Sequence, residues 1–219
     1  MKMSIIKKFR SIYLPSGEYN LLYGNYAKWS FISNVVLSME SAMATHSMLH
    51  AVSADFEPIK TYNYIAKDIV GQIGGLGYMA KMGKKIDKNP IKFLSYSNIM
   101  QQTALWSLCI TPILDNYFLY IAGISSILLN ISFTGFGALN AKCIQQLSRK
   151  DVDGNVGDNN VGEIYAKIAA LNTFGSSIGL LFGIGIVTFF PNHETRMFFL
   201  PVLSFIRIYS FGKAIKGLI

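Results

Sequence analysis

Three stretches of this chain run on without a single Asp, Glu, Lys or Arg: Phe93 to Leu114 for 22 residues, Asn116 to Ala141 for 26, and Ile168 to His193 for 26. About 20 residues of helix cross the roughly 30 Å of a bilayer's hydrocarbon core, and inside lipid a helix satisfies its own backbone groups. Three such runs in 219 residues predict a polytopic membrane protein. Composition agrees, since 51% of residues are hydrophobic and only 15% charged, against about 25% charged in an average soluble domain. This leaves too little polar surface for a water-soluble globule and far too much apolar sequence for a disordered chain.

Three further segments carry the same reading with interruptions. Trp29 to Val52 is broken by Glu40, His46 and His50, Thr61 to Ala80 by the adjacent Lys67 and Asp68, and Met197 to Gly212 by Pro201 and Arg207. The alternative for such segments is an amphipathic helix lying on the membrane surface. Six spans in order put four basic groups on one side: Lys2, Lys7, Lys8, Arg10 and Lys28; Lys81, Lys84, Lys85, Lys88 and Lys92; Lys142, Arg149, Lys150 and Lys167; and a tail with Arg207, Lys213 and Lys216. That is 17 of the 20 basic residues, with Lys60 and Arg196 opposite and Lys67 within a span. By the positive-inside rule both termini are then cytoplasmic. The expected architecture is all-α, a bundle of about six transmembrane helices, with a cytoplasmic N-terminal segment over 1–28, a membrane domain over 29–212 and a short tail over 213–219.

The net charge of +8 would suggest nucleic acid in a soluble protein, but these basic residues mark alternate loops and do not gather on one face with interleaved aromatics. Attraction to anionic headgroups accounts for them, so lipid is the expected partner and nucleic acid is not. Two cysteines, Cys109 and Cys143, and three scattered histidines give neither a disulfide framework nor a zinc set, and no metal or other cofactor is expected. Met1 to Arg10 is basic, but a polar, turn-rich stretch follows in place of an apolar core, so no cleavable leader is expected. Ser148 to Gly162 reads as a loop. Its D-V-D-G-N-V-G-D-N-N run lacks the terminal Glu of a calcium-binding EF-hand.

A set of short motifs carries a family resemblance. L-P-S-G at Leu14 to Gly17, A-T-H-S-M-L-H-A-V at Ala44 to Val52, K-D-I-V-G-Q-I-G at Lys67 to Gly74 and I-D-K-N-P at Ile86 to Pro90 occur in order. Thr111 and Pro112, N-N-V-G-E-I-Y-A-K at Asn159 to Lys167, and S-F-I-R-I-Y-S-F-G-K-A-I at Ser204 to Ile215 follow. In order and spacing they resemble the root UVB sensitive family of eukaryotic membrane proteins across Leu14 to Leu218. The resemblance implies links to ultraviolet-B responses and vitamin B6 homeostasis in plants, and a pair of paralogues acting together; it names no reaction. The chain departs from the family in helix three, where the usual charged or polar residues include an Arg and an Asp and this chain has Leu94 and Asn98, between Thr134 and Leu139, which lacks an Arg, and at Leu171 and Asn172, where a Gln-Glu pair is usual. The C-terminal extension of longer members is absent from this sequence.

Ionisable residues inside a span are expensive and mark candidate pathways. His46 stands about 9 Å from the outer end of the first segment, Lys67 and Asp68 about 9 to 10 Å into the second, and Glu40 about 18 Å deep at 1.5 Å per residue. A His46 to Asp68 contact is feasible at that depth. Glu40, His46, Lys67 and Asp68 therefore form either a proton or cation relay coupled to substrate movement or a structural polar clamp between the first two helices. Gly71 and Gly75, and the row Gly175, Gly179 and Gly183, recur every fourth residue, the spacing that lets helix backbones approach closely. Asn159, Asn160, Glu163 and Lys167 are candidate cytoplasmic interaction residues through the family motif, although Glu163 and Lys167 at i and i+4 also make an ordinary intrahelical pair. Asp87, alone among lysines, resembles the acidic position in the equivalent loop of major-facilitator transporters.

No nucleophile, phosphate loop or pair of catalytic carboxylates stands out, and no enzymatic activity is expected. Six helices with both ends inside match the topology of half a major-facilitator transporter, built from two three-helix repeats. A homodimer or a heterodimer with a paralogue would supply the other half. The expected function is transporter-like movement of a small metabolite, with a non-transporting scaffold acting through the Lys142 to Lys167 loop as the alternative.

Overall fold

The computed structural model describes residues 13–15, 20–53, 58–148 and 160–218. Among these residues the chain is all-helical. Six long helices are α1 (Tyr23–Ser53), α2 (Pro58–Lys88), α3 (Pro90–Ile110), α4 (Phe118–Leu147), α5 (Val161–Phe189) and α7 (Phe199–Ile215), with a five-residue helix α6 (His193–Met197) before the last. Proline sets several boundaries, because it lacks the N–H that a continuing helix needs. Pro90 opens α3 one residue after α2 ends, Pro112 follows α3, and Pro191 follows α5. The first helix starts at Tyr23, six residues ahead of the expected Trp29, because Asn20 and Leu22 are already tied to the bundle.

Three helical stretches among the described residues are long and apolar enough to cross a membrane: Phe118–Leu147, Val161–Phe189 and His193–Ile215. The ranking differs from the expectation drawn from charge. The last segment qualifies although it was among the interrupted ones, whereas α3, wholly uncharged after Lys92, does not. Ser95, Ser97, Asn98, Gln101, Gln102, Thr103 and Ser107 make α3 polar without making it charged.

The largest helix–helix interfaces follow an exchange pattern, from which the α1–α3 contact departs, since α4 and α7 make no contact of like extent. The four most extensive interfaces are α1–α5, α2–α4, α3–α4 and α1–α7. Exchanging α1 with α4, α2 with α5 and α3 with α7 converts the first interface into the second and the third into the fourth. The chain is thus two three-helix units, each threading its second helix against the first helix of the other. Glycines make the two crossed contacts possible. A Cβ on Gly175 would come within 2.9 Å of the Phe31 ring, and Gly183 within 2.6 Å of Ala42, so this row seats α5 on α1. Gly71 and Gly75 do the same for α2 on α4, at 2.7 Å from Ser126 and 2.9 Å from Asn130.

Polarity runs inside out relative to a soluble bundle. On α5 the buried residues are Ile164, Ile168, Gly175, Gly179 and Gly183, while Leu180, Leu181, Phe182 and Ile184 are exposed. On α7 Ser204, Arg207 and Ser210 face inward and Val202, Phe205 and Ile208 face outward. Apolar faces of this extent require an apolar solvent or a partner.

Two apolar cores lie at opposite ends of the bundle. One gathers Tyr23, Tyr26, Leu139, Leu147, Ile164 and Ala214; the other Met43, Met48, Leu105, Leu108, Ala122 and Leu200. Asn25 Nδ2 donates to the Lys213 carbonyl at 3.0 Å, and the Tyr26 hydroxyl to Asn140 Oδ1 at 2.5 Å. These bonds bring the start of α1 together with the ends of α4 and α7, so the basic ends of these helices share one end of the molecule. Arg207 corrects the charge count made from sequence. It belongs to the middle of α7 and is only 3% exposed, so the tail's basic residues are Lys213 and Lys216.

Candidate functional site

Between the two cores lies a polar layer built from the midpoints of three helices. Glu40 sits near the centre of α1, Gln101 and Gln102 near the centre of α3, and Ser204 and Arg207 near the centre of α7. Glu40 and Gln101 are fully buried. Such groups persist in a helix bundle only when they are partnered across helices.

Glu40 is the hub. Its Oε1 accepts from the Ser204 hydroxyl at 2.8 Å, its Oε2 from Gln102 Nε2 at 3.3 Å, and Arg207 Nη1 stands 3.6 Å from the same Oε2. The Ser204 hydroxyl also lies 2.6 Å from Gln102 Oε1; with one proton to give, it serves Glu40 or Gln102 in turn. Trp106 Nε1 donates to Ser204 Oγ at 2.9 Å, fixing the hydroxyl's position. Arg207 Nη2 donates to Gln101 Oε1, and its guanidinium lies 5.6 Å from the centre of the Phe136 ring. The set is incompletely satisfied. Arg207 Nε and Nη1 and Gln101 Nε2 are buried with no hydrogen-bond partner, although Nη1 has its charge contact with Glu40.

Arg207 and Gln101 also form the inner wall of a cleft of about 260 Å³. It runs between α1, α4 and α5 past Ser30, Ser33, Asn34 and Asn172 to Tyr26, Asn140 and Phe211 at the basic end. A second cleft shares Asn34, Asn140 and Asn172 with it and continues along α5 past Thr173 and Ser176. The walls offer amide and hydroxyl groups together with the rings of Phe133, Phe136 and Phe211. This is the makeup of a site for a compact, partly aromatic solute: apolar surface with a few polar groups that set orientation.

The residues singled out from sequence fall in separate places. Glu40 is in the polar layer. His46 is at the other end of α1 and joins Arg196, whose Nη1 lies 2.6 Å from His46 Nδ1 and whose Nη2 lies 3.3 Å from His193 Nδ1. Arginine only donates, so both rings accept on Nδ1 and carry their proton on Nε2. The His46 ring is 6.5 Å from that of His50, so all three histidines of the chain approach one another around Arg196. The His46 to Asp68 contact that their depth allows is not formed, because α1 and α2 scarcely touch. Lys67 and Asp68 bond each other at 2.6 Å, the Lys67 side chain buried and that of Asp68 58% exposed on the outer face of α2. Asn160 precedes α5, and Glu163 and Lys167 occupy its first two turns, beside Tyr165 and Ile168 of the second cleft but not among the residues that line either cleft. Asn159, the core of the 149–159 loop and the Asp87 side chain lie outside what the structure describes.

Sequence reasoning notes Arg207 as an interruption of the last segment but not as part of a site, and it does not reach Gln101 and Gln102. Arg207 was counted with the tail, and neutral amides leave no mark in a scan for charges. A helical reading of α7 does reveal the pattern, since Ser204, Arg207 and Ser210 recur every third residue within an apolar run and so share one face.

A helical bundle with an apolar outside, three described helices long and apolar enough to cross a membrane, close glycine crossings and a buried charged pair beside a cleft fits a membrane protein. The sequence matches the family described as the vitamin B6 photo-protection and homoeostasis domain over residues 1–218, and the chain belongs to this root UVB sensitive family. It is 24% identical over 187 residues to protein root UVB sensitive 4 of Arabidopsis thaliana, a match covering 84% of this chain and 34% of that protein. The chain therefore spans about a third of that relative's length. No solved structure matches it.

Proposed function

We propose that this protein is the six-span half of a transporter for a compact metabolite, which moves through the cleft between its two three-helix units. The observation that carries this reading is the placement of Glu40, Gln101 and Arg207 at mid-helix, between two apolar cores and beside a polar cleft. In transporters built from inverted repeats, substrate and coupling-ion sites lie near the bilayer midplane at the repeat interface. The exchange of α1–α3 with α4–α7 supports such a repeat. Because each unit has an odd number of spans, the second begins on the opposite side of the membrane, as an inverted repeat requires. Both termini then lie on the side of the basic loops, the cytoplasmic side by charge asymmetry.

The family's description makes vitamin B6 compounds the first solutes to test. In proteoliposomes, the full chain with or without a co-expressed paralogue should take up labelled pyridoxine or its phosphate faster than empty vesicles. An imposed proton gradient should raise the accumulation, and Glu40→Gln should abolish that dependence while the protein still inserts. Uptake equal to that of empty vesicles across such a panel, by a well-folded preparation, refutes the reading.

A further inference from the structure

The unpaired donors of the polar layer belong to two residues that line the cleft. Arg207 brings five N–H donors, of which one bonds Gln101 and those on Nη1 are shared only loosely with Glu40, 3.6 Å away. Nε has no hydrogen-bond partner, and Gln101 Nε2, on the adjacent helix face, has none either. Both residues are nine-tenths or more buried and both line the cleft. A planar guanidinium with open donors pairs best with a carboxylate or phosphate, two of whose oxygens it can engage at once. Glu40 itself is committed to Ser204 and Gln102 and so holds Arg207 without a close hydrogen bond.

We propose that the inner end of the cleft is an oxyanion site, where Arg207 and Gln101 take the carboxylate or phosphate of a compact solute and Glu40 is the internal counter-ion that the solute displaces. This rests on the reading that the cleft holds the transported solute. Size and lining limit the class further. About 260 Å³ lies just below the range usual for drug-sized ligand sites, about 300 to 1,000 Å³, and Phe136 flanks the guanidinium, so a single small ring bearing one anionic group fits the lining. A neutral solute leaves Arg207 Nε and Gln101 Nε2 unpaired and forgoes the strongest contact the cleft offers.

The test is binding by the purified full chain in detergent, with matched probes: pyridoxine 5′-phosphate against pyridoxine, and benzoate against benzamide. The first pair examines a phosphate monoester and the second a carboxylate, each beside its uncharged counterpart. At least one anion should bind roughly ten- to a hundred-fold tighter than its neutral partner, the range expected for hydrogen bonds to a charged group. Glu40→Gln should tighten that anion further, since it removes a buried negative charge that competes for Arg207. Arg207→Gln alone leaves Glu40 buried without its cation, so the informative loss is measured in the Glu40→Gln, Arg207→Gln double variant, where the preference for the anion should vanish. Equal affinity for charged and neutral partners, no binding of either anion, or a preference that survives in the double variant overturns the proposal. Flux of a neutral solute with no anion preference would sink the oxyanion site and leave transport standing, whereas anion binding without flux would do the reverse.

Discussion

At the scale of single residues, the polar layer stakes stability on complete partnering. Removing one member of a buried ion pair leaves the other uncompensated and typically costs about 3–5 kcal/mol, while replacing both by apolar groups can be nearly neutral. Glu40→Ala should therefore lower thermal stability in detergent far more than the Glu40→Ala, Arg207→Met pair; similar losses in both would show that the two do not interact. Ser204→Ala strips a donor from Glu40 and the acceptor from Trp106, a change expected to cost about 1–3 kcal/mol. Thermal unfolding followed by Trp fluorescence checks it, and an unchanged midpoint would contradict the hub role. Glu40 was legible in the sequence because a carboxylate in an apolar run is conspicuous. Arg207 was not, because it stands only six residues from Lys213 and blends into a basic tail until the helix is seen to bury it. The meeting of His46 with Arg196, 150 residues apart, leaves no trace in local spacing.

At the scale of helices, small residues decide which elements meet. Gly179 faces the Val35 carbonyl and lies, by its missing Cβ, 2.8 Å from Ser38, whereas the space around Gly185 on the same helix is open. Gly179→Leu should cost at least about 1–3 kcal/mol by forcing α5 off α1. Gly185→Ala should be neutral or stabilise by up to about 1 kcal/mol through helix propensity. Equal effects of the two on thermal unfolding would refute the close crossing of α1 and α5. The helices themselves were largely readable, since runs without charge correspond to α3, α4 and α5. Apolar character is less legible, because absence of charge is not the same as affinity for lipid: α3 carries no charge after Lys92, yet it buries Ser97, Asn98, Gln101 and Gln102.

At the scale of the whole molecule, the described bundle leaves the carboxylate of Asp68 largely open to its surroundings, paired with the neighbouring Lys67. Asp68 is 58% exposed about a third of the way along α2, beside Ile65, Ile69 and Ile73. In lipid this is expensive, and a partner on this face, either another copy or a paralogue, would bury it. Asp68→Cys should therefore form an oxidised dimer in membranes, read on a non-reducing gel, while a cysteine at Leu181 should not. Dimerisation of neither, or of both equally, would argue against a partner on the α2 face.

The most direct test of the threading is sided labelling of single cysteines with a membrane-impermeant reagent in sealed vesicles, for which the buried Cys109 and Cys143 give little background. Cysteines placed at Lys28, Lys85, Lys142 and Lys213 should all react from the one, cytoplasmic, side, and a cysteine at Glu194 only from the other. Reaction of the Lys85 and Lys142 positions from opposite sides would contradict six spans in alternation, and with them the inverted units and the midplane site.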